Sequence, residues 1–79
     1  MKLYVGDIVT ISSAAGWYKT KIVDVVRANA ADGIEYDWFR TEHLQEYTDS
    51  GERLPKRGYF NENMADQIVK SIERNSEVD

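Results

Sequence analysis

The stretch IEYDWFR, residues 34–40, constrains the fold most strongly because large apolar side chains alternate in it with acidic ones. Successive side chains of an extended chain point to opposite faces, so Ile34, Tyr36 and Trp38 share one face. The acids share the other face, and a slip of one residue in register would bury both carboxylates. The pattern therefore predicts a half-buried strand whose rings, Tyr36 and Trp38, lie in the core.

Two further β-rich stretches precede this strand. Residues 3–12 predict a first strand that bends at Gly6, and residues 17–27 predict a longer second strand. The second has apolar residues on both faces, as is typical of a strongly coiled strand in a small barrel. Residues 28–33 end in the dipeptide DG, which suits a hairpin turn. The third strand is therefore expected to run antiparallel to the second.

The pattern weakens after residue 40. Residues 41–47 predict a short helical turn capped by Thr41, and residues 48–57 predict a polar loop interrupted by glycine and proline. A segment of this length without a regular element is uncommon in a compact domain unless it is functional or mobile. It is therefore either an interaction loop or an element that the sequence does not reveal.

Near the end of the chain, large apolar residues recur every four positions from Met64 to Ile72. This spacing predicts a helix over residues 62–74 with one apolar stripe. The alternative is a helical turn over residues 62–66 followed by a closing fifth strand over residues 67–73. The two alternatives differ in whether the sheet gains a strand at its end.

Composition predicts one folded domain with little scope for metal or redox chemistry. The chain has 79 residues, of which 42% are hydrophobic and 30% are charged, as in an ordinary globular domain. We place the domain at residues 1–74 and a frayed tail at residues 75–79. There is no cysteine in the sequence, so disulfides and thiolate chemistry are excluded and no cofactor or metal is expected. The first residues contain no long apolar run, so a cytoplasmic protein without a membrane span is expected.

The net charge of -4 is unevenly distributed. Residues 1–31 contain four bases and two acids, whereas residues 32–79 contain six bases and twelve acids. An acidic chain repels phosphate, so nonspecific binding of nucleic acid is disfavoured, although a local basic patch is allowed. The candidates for such a patch are Lys19, Lys21, Lys56 and Arg57.

A family resemblance follows from the first half of the chain. The segments VGDIVTI, residues 5–11, and KTKIVDV, residues 19–25, with Gly16 between them, resemble the opening of small SH3-like barrels of the KOW and Tudor type. The resemblance implies an antiparallel barrel that binds peptides or modified side chains on an aromatic surface. In size the chain is also similar to small accessory proteins of bacteriophages and prophages. The long segment after residue 40 and the predicted C-terminal helix depart from the barrel pattern.

The chain is therefore expected to be mainly β, as a small SH3-like antiparallel barrel or a strongly bent sheet with one C-terminal helix. The alternatives are an α+β fold with an open sheet, and a barrel closed by the C-terminal segment as its fifth strand. A barrel that does not close leaves a free strand edge, which would allow homodimerisation.

No group of residues predicts catalysis, so the chain is not expected to be an enzyme. The only histidine, His43, has no nucleophile or carboxylate arrangement at a recognisable spacing, and the five glycines are scattered singly. Binding to a protein partner is the expected function, with rings and acids as the contact groups. The candidate partner-binding residues are Trp17, Tyr18, Phe39, Tyr59, Glu35, Asp37, Glu42 and Glu46.

Phe39 interrupts the strand alternation because it falls on the face of the acids. The strand twists past a barrel edge there, or Phe39 lies under the helix, or the ring is an exposed contact residue. If Phe39 is a contact residue, Trp38→Ala should unfold the domain whereas Phe39→Ala should leave folding nearly intact.

Three functions are compatible with the sequence. The first is a noncatalytic protein-binding module that serves as an accessory factor of a phage or mobile element. The second is an acidic inhibitor of a host nucleic-acid enzyme, in which the acids of residues 32–52 form one surface that imitates phosphates. The third is a small nucleic-acid-binding barrel that uses the basic patch, with Trp17 or Tyr18 stacking on a base.

Overall fold

The computed structural model describes residues 1–74, which form one antiparallel sheet and one short helix. The elements in chain order are β1 (Ile8–Ser13), β2 (Gly16–Asn29), β3 (Glu35–His43), β4 (Arg57–Asn61), α1 (Glu62–Ile68) and β5 (Val69–Glu73). The five strands lie in the order β4-β3-β2-β1-β5. Within the described residues β4 and β5 are the two edges of the sheet and do not pair with each other, so the sheet is not closed into a barrel. The prediction of a mainly β, bent sheet with a C-terminal helix is confirmed.

The core lies between one face of the sheet and α1. We call this face the inner face, since it carries Val9, Ile22 and Phe39, which are all fully buried. The opposite, outer face carries Trp38 and Tyr59. Among residues 1–74 no helix or strand packs on the outer face, and no helix is long and apolar enough to cross a membrane. The fold therefore buries one side of its sheet and presents the other.

The chain enters the sheet through a tight turn before β1. Gly6 has a positive φ of 98°, and its N–H donates to the carbonyl of Ile22 at 2.8 Å. The N–H of Ile22 donates in turn to the carbonyl of Asp7 at 2.9 Å. The first strand therefore begins at Ile8, later than the sequence predicts, because the turn already uses the backbone of the preceding residues.

A bulge explains why β2 has apolar residues on both faces. The pairing of β2 with β3 skips Val23. Ile22 before the bulge and Val25 after it therefore both pack on the core, whereas Val23 and Val26 are exposed. One extra residue thus shifts the alternation in the middle of the strand.

The face of β3 that packs on the core is the opposite of the predicted one. Phe39 is 0% exposed and Thr41 is also buried, whereas Tyr36 and Trp38 are only partly buried and Ile34 is 54% exposed. The placement of Tyr36 and Trp38 in the core was therefore wrong, and so was the use of Phe39 as a contact residue.

The cause of this reversal lies in the neighbouring strands. Phe39 stands opposite Val25 of β2 and Phe60 of β4, so these three apolar side chains form one layer of the core. The rings of Phe39 and Phe60 are 5.6 Å apart between centroids. Asp37 shares this face but lies nearer the hairpin, where Arg27 binds its carboxylate at 2.9 Å.

Helix α1 ends at Ile68, so the helix predicted over residues 62–74 is wrong beyond that point. The side-chain oxygen of Asn61 accepts a hydrogen bond from the N–H of Met64 at 2.8 Å and caps the helix. Val69 has extended backbone angles and begins β5. The alternative of a helical turn followed by a strand is right in kind, although the strand begins later than residue 67.

The sequence of β5 has the apolar spacing of a helix, and the cause is an irregular pairing of β5 with β1. Val69 stands opposite Ile11 and Ile72 opposite Val9, with a register shift between Thr10 and Ile11. Both apolar residues of β5 therefore pack against the core although they are three positions apart. A spacing of three is also the spacing of a helix face, so the sequence alone does not separate the two structures.

Residues 44–56 fold back onto the start of β2. The hydroxyl of Thr48 donates to the carbonyl of Ala15 at 2.6 Å. The carboxylate of Asp49 accepts a hydrogen bond from the backbone N–H of Trp17 at 2.6 Å. The backbone N–H of Asp49 donates in turn to the carbonyl of Trp17 at 3.0 Å. This segment is therefore an ordered extension that is bound to β2.

The helical turn predicted over residues 41–47 is wrong. Residues 41–43 continue β3, and an isolated bridge joins Tyr47 to Arg53 within the following loop. The β2 strand offers a free edge beside this loop, and backbone pairing to that edge replaces the internal hydrogen bonds of a helix.

Gly16→Ala is expected to destabilise the fold more than Gly51→Ala. Both glycines have a positive φ, 116° and 89°, which costs alanine roughly 1 to 2 kcal/mol at either position. A Cβ at Gly16 would also lie 2.6 Å from the carboxylate of Asp49, whereas no atom lies within 4 Å of one at Gly51. We expect a further loss of roughly 1 to 3 kcal/mol for Gly16→Ala in urea unfolding. Equal losses for both variants would contradict the docking of the loop on β2.

Candidate functional site

The outer face of β2, β3 and β4 contains an open groove of about 800 Å³. Its lining combines exposed apolar side chains with charged ones. We call this surface the outer groove and define it by Val23, Asp24, Val26, Trp38, Arg40, Glu42, Arg57 and Tyr59. It lies on the side of the sheet that no other described element covers.

Aromatic and branched side chains form the apolar part of the groove. The ring centroids of Trp38 and Tyr59 are 5.6 Å apart, and Tyr59 is 70% exposed. Val23 and Val26 are exposed beside them. The indole N–H of Trp38 donates to the carbonyl of Ala28 on β2 at 3.1 Å, which holds the ring toward that strand. The groove therefore presents a contiguous apolar surface with one positioned ring.

Charges of opposite sign alternate across the strands of the groove. Arg40 of β3 stands opposite Asp24 of β2. Glu42 of β3 stands between Lys21 of β2 and Arg57 of β4. Opposite charges on paired strands stabilise a sheet modestly and leave the face nearly neutral.

The predicted aromatic contact residues occupy four different environments. Tyr59 lies in the outer groove, and Trp17 is 47% exposed at the start of β2, outside the groove lining. Tyr18 is partly buried on the inner face, where it meets the edge of the His43 ring at 4.9 Å. Phe39 is buried. The structure therefore brings Tyr59 into the groove and excludes Phe39 from any surface.

The predicted acidic contact residues do not come together. Only Glu42 lies in the outer groove, whereas Glu46 lies in the loop between β3 and β4. Glu35 and Asp37 both bind Arg27 near the β2–β3 hairpin, at 3.6 and 2.9 Å. The hydrogen bond from Arg27 lowers the pKa of the Asp37 carboxyl. Asp37 and Glu42 belong to opposite faces of β3, so the single acidic surface required by the inhibitor hypothesis is not formed.

The predicted basic patch is partly assembled. The register places Lys19, Lys21 and Arg57 on the outer face of the sheet, whereas Lys56 ends the loop before β4. The ammonium group of Lys19 is held by the carboxylate of Glu73 at 2.8 Å. Cations are therefore present on this face, but acids are interleaved with them.

No protein-family model, curated protein or solved structure matches this chain. The site is therefore interpreted from its own geometry. In the part of the chain that the structure describes, no three histidine, aspartate or glutamate side chains are arranged to hold a metal ion.

Sequence reasoning missed Trp38, Arg40, Val23 and Val26 as surface residues. A third strand extended to residue 43 would have placed Phe39 and Thr41 on a common face and Trp38 with Arg40 on the other. The alternation of these four residues is visible in the sequence, but it is recognised only if residues 41–43 are assigned to the strand instead of to a helical turn. The bulge that exposes Val23 shows in the sequence only as apolar residues on both faces of the second strand, a pattern that a coiled strand would also produce.

The single histidine is a partly buried structural residue. The Nδ1 atom of His43 lies 2.9 Å from the hydroxyl of Thr20, which is itself buried. Burial lowers the pKa of His43 below 6.5 and raises the pKa of the Tyr18 phenol. His43 is therefore neutral in the fold at neutral pH.

Acidification is expected to destabilise the fold through His43. Because the folded pKa is below 6.5, the unfolded chain takes up the proton first as the pH falls. This contribution to stability is complete above pH 6.5 and is lost as the pH falls through the folded pKa. Urea unfolding at about pH 7.5 and about pH 5 should show a smaller decrease for His43→Asn than for the wild type. The pKa of Asp37 is lowered from 3.8, so the protonation of Asp37 does not change stability between these two pH values. Equal decreases in the free energy of unfolding for the wild type and His43→Asn would contradict the burial of His43.

Proposed function

We propose that this chain is a noncatalytic protein-binding module of the cytoplasm and that the outer groove is its contact surface. The observation that carries the proposal is the exposure of Tyr59, Val23 and Val26 beside Trp38 on an uncovered sheet face. Contiguous exposed apolar surface of this kind marks interaction sites. Tryptophan, tyrosine and arginine, which the groove combines, contribute most to binding energy at protein interfaces.

The charges of the groove favour a protein over a nucleic acid. Asp24 and Glu42 stand directly opposite Arg40 and Arg57 on paired strands. A polyphosphate backbone is repelled by such interleaved acids, whereas a protein surface can match charges of both signs. An accessory role in a phage or mobile element remains a prediction from the sequence.

The proposal is tested by affinity capture from cells that express the chain, with two matched double variants. Trp38→Ala with Tyr59→Ala removes both rings of the groove. Trp17→Ala with Tyr47→Ala removes one indole and one phenol that are exposed elsewhere. We expect a protein that is retained by the wild type and by the second variant but not by the first. Retention of the same proteins by both variants would contradict the proposal.

Nucleic-acid binding is the second candidate because the outer face also gathers cations beside exposed rings. Lys19, Lys21, Arg40 and Arg57 share this face with Trp17 and Tyr59. Cations with stacking rings are the features of surfaces that bind single strands.

We expect no binding to labelled single-stranded DNA or RNA at low salt, because the acids of the face and the net charge of -4 oppose it. Fluorescence anisotropy measures this directly. Tight binding that weakens steeply with salt and depends on Lys21 would favour the second candidate over the first.

A further inference from the structure

We infer that the outer groove selects an acidic partner: an extended protein segment with a carboxylate two residues from a large apolar side chain. This inference rests on the proposed function and names the chemistry of its partner. Two arginines, one exposed ring and one sheet edge carry it.

The two arginines of the groove are available to a ligand. Arg40 and Arg57 are exposed, and no carboxylate among residues 1–74 lies within 4.0 Å of either guanidinium. Arg27 and Arg74, by contrast, each hold a carboxylate at 2.9 and 3.2 Å. A guanidinium beside an apolar surface binds a carboxylate through two parallel hydrogen bonds.

The acids of the groove leave an excess of positive charge only at its Arg57 end. Asp24 stands opposite Arg40 and offsets the charge of that arginine. Glu42 is placed between two cations, Lys21 and Arg57. The row of β2, β3 and β4 that contains Glu42 therefore has a net positive charge.

Tyr59 is the point at which apolar and cationic groups meet. It stands opposite Arg40, and Arg57 lies two positions before it on the same face of β4. The ring of Trp38 completes the cluster at 5.6 Å. A ligand that covers Tyr59 with an apolar side chain thus has a guanidinium on two sides for its carboxylate.

Strand β4 is an edge of the sheet, so an extended segment can be added beside it as a sixth strand. Side chains on one face of such a segment recur every two residues, as do Arg57 and Tyr59 on β4. A carboxylate that reaches Arg57 is therefore two residues from the side chain that covers Tyr59. This register gives the predicted spacing of the motif.

The test uses three blocked dodecapeptides that repeat threonine, phenylalanine, threonine and a variable residue. The variable residue is glutamate, glutamine or lysine, so that only the charge of the binding face changes. Binding is measured by NMR titration of the whole chain up to about 1 mM peptide. The variant Arg40→Gln with Arg57→Gln is compared with Arg53→Gln and Lys56→Gln, which remove the same charge outside the groove.

We expect the glutamate peptide to bind the wild type roughly tenfold or more tightly than the lysine peptide, with shifts at the indole N–H of Trp38. The groove variant should lose about this factor for the glutamate peptide, and the control variant should not. Equal affinities for the three peptides, or no binding of any, would overturn the acidic preference. The proposed function is judged by the capture experiment alone. It stands if capture of a partner depends on Trp38 and Tyr59, and it fails if capture does not depend on them. If light scattering shows that the wild type is a dimer, and Trp38→Ala with Tyr59→Ala makes it a monomer, the occupant of the groove is a second copy of this chain. That result would also overturn the inference.

Discussion

Phe39→Ala is expected to lower the free energy of unfolding by roughly 3 to 5 kcal/mol, as for other buried phenylalanines. The side chain is fully buried, and it packs against Phe60 on one side and Val25 on the other. Its removal leaves a cavity in the central layer of a small core, which the neighbouring strands fill only partly. Urea unfolding monitored by circular dichroism measures the loss. A variant that does not fold at all would also show that the Phe39 side chain is essential to the core.

Trp38→Ala is the matched comparison because it removes a larger ring from the adjacent position. Trp38 belongs to the outer face, and its main fixed contacts are the hydrogen bond to Ala28 and the ring of Tyr59. We expect a loss of roughly 1 to 2 kcal/mol. A larger loss for Trp38→Ala than for Phe39→Ala would contradict the assignment of the inner and outer faces.

Asp7→Ala is expected to cost roughly 2 to 3 kcal/mol, the second large effect. Asp7 is buried, with a side chain that is 6% exposed. It accepts hydrogen bonds from the N–H of Tyr4 at 2.9 Å and from Nε of Arg74 at 3.2 Å. We place the loss below that of a fully buried ion pair because the Arg74 side chain is about half exposed.

The contacts of Asp7 join the two ends of the described chain, since Arg74 also donates to the carbonyl of Lys2 at 2.9 Å. Asp66→Ala is a matched control, because it removes an exposed carboxylate that pairs with the N-terminal amine at 3.1 Å. Thermal unfolding should show little change for this control. Similar decreases in Tm for both variants would mean that Asp7 behaves as an ordinary surface acid.

The sequence was sufficient to predict the first three strands and the hairpin between β2 and β3, but it did not predict β4. The alternation of residues 34–40 and the DG dipeptide predicted the β2–β3 hairpin, which the structure confirms. The predicted bend at Gly6 is present, with a positive φ, although it precedes β1 instead of lying within the strand. These features depend on neighbours along the chain, which is why local pattern was enough.

The face of each strand could not be predicted as reliably, because it depends on neighbours in space. Ile34 is exposed beside the hairpin turn and Tyr36 shares the outer face with Trp38, so their apolar character does not mark the inner face. Phe39 is buried because of Phe60, a partner about twenty positions away in sequence. Likewise, β5 forms because β1 has a free edge, whereas its three-residue spacing favours a helix in isolation.

For the candidate site the same limit applied. Tyr59 and Glu42 were predicted as contact residues and lie in the outer groove, whereas Trp38 and Arg40 were missed with the reversed face. The groove exists only once three strands are paired, so its combination of rings and arginines has no counterpart in the linear sequence.

The central claim, that the outer groove is the contact surface, is tested most directly by the amount of partner protein that the two double variants capture. We predict that Trp38→Ala with Tyr59→Ala reduces the captured amount by roughly tenfold or more, as expected for the loss of central interface rings. Trp17→Ala with Tyr47→Ala should leave it within about twofold of the wild type at equal folded concentration. Undiminished capture by the groove variant, with both variants folded, would contradict the claim.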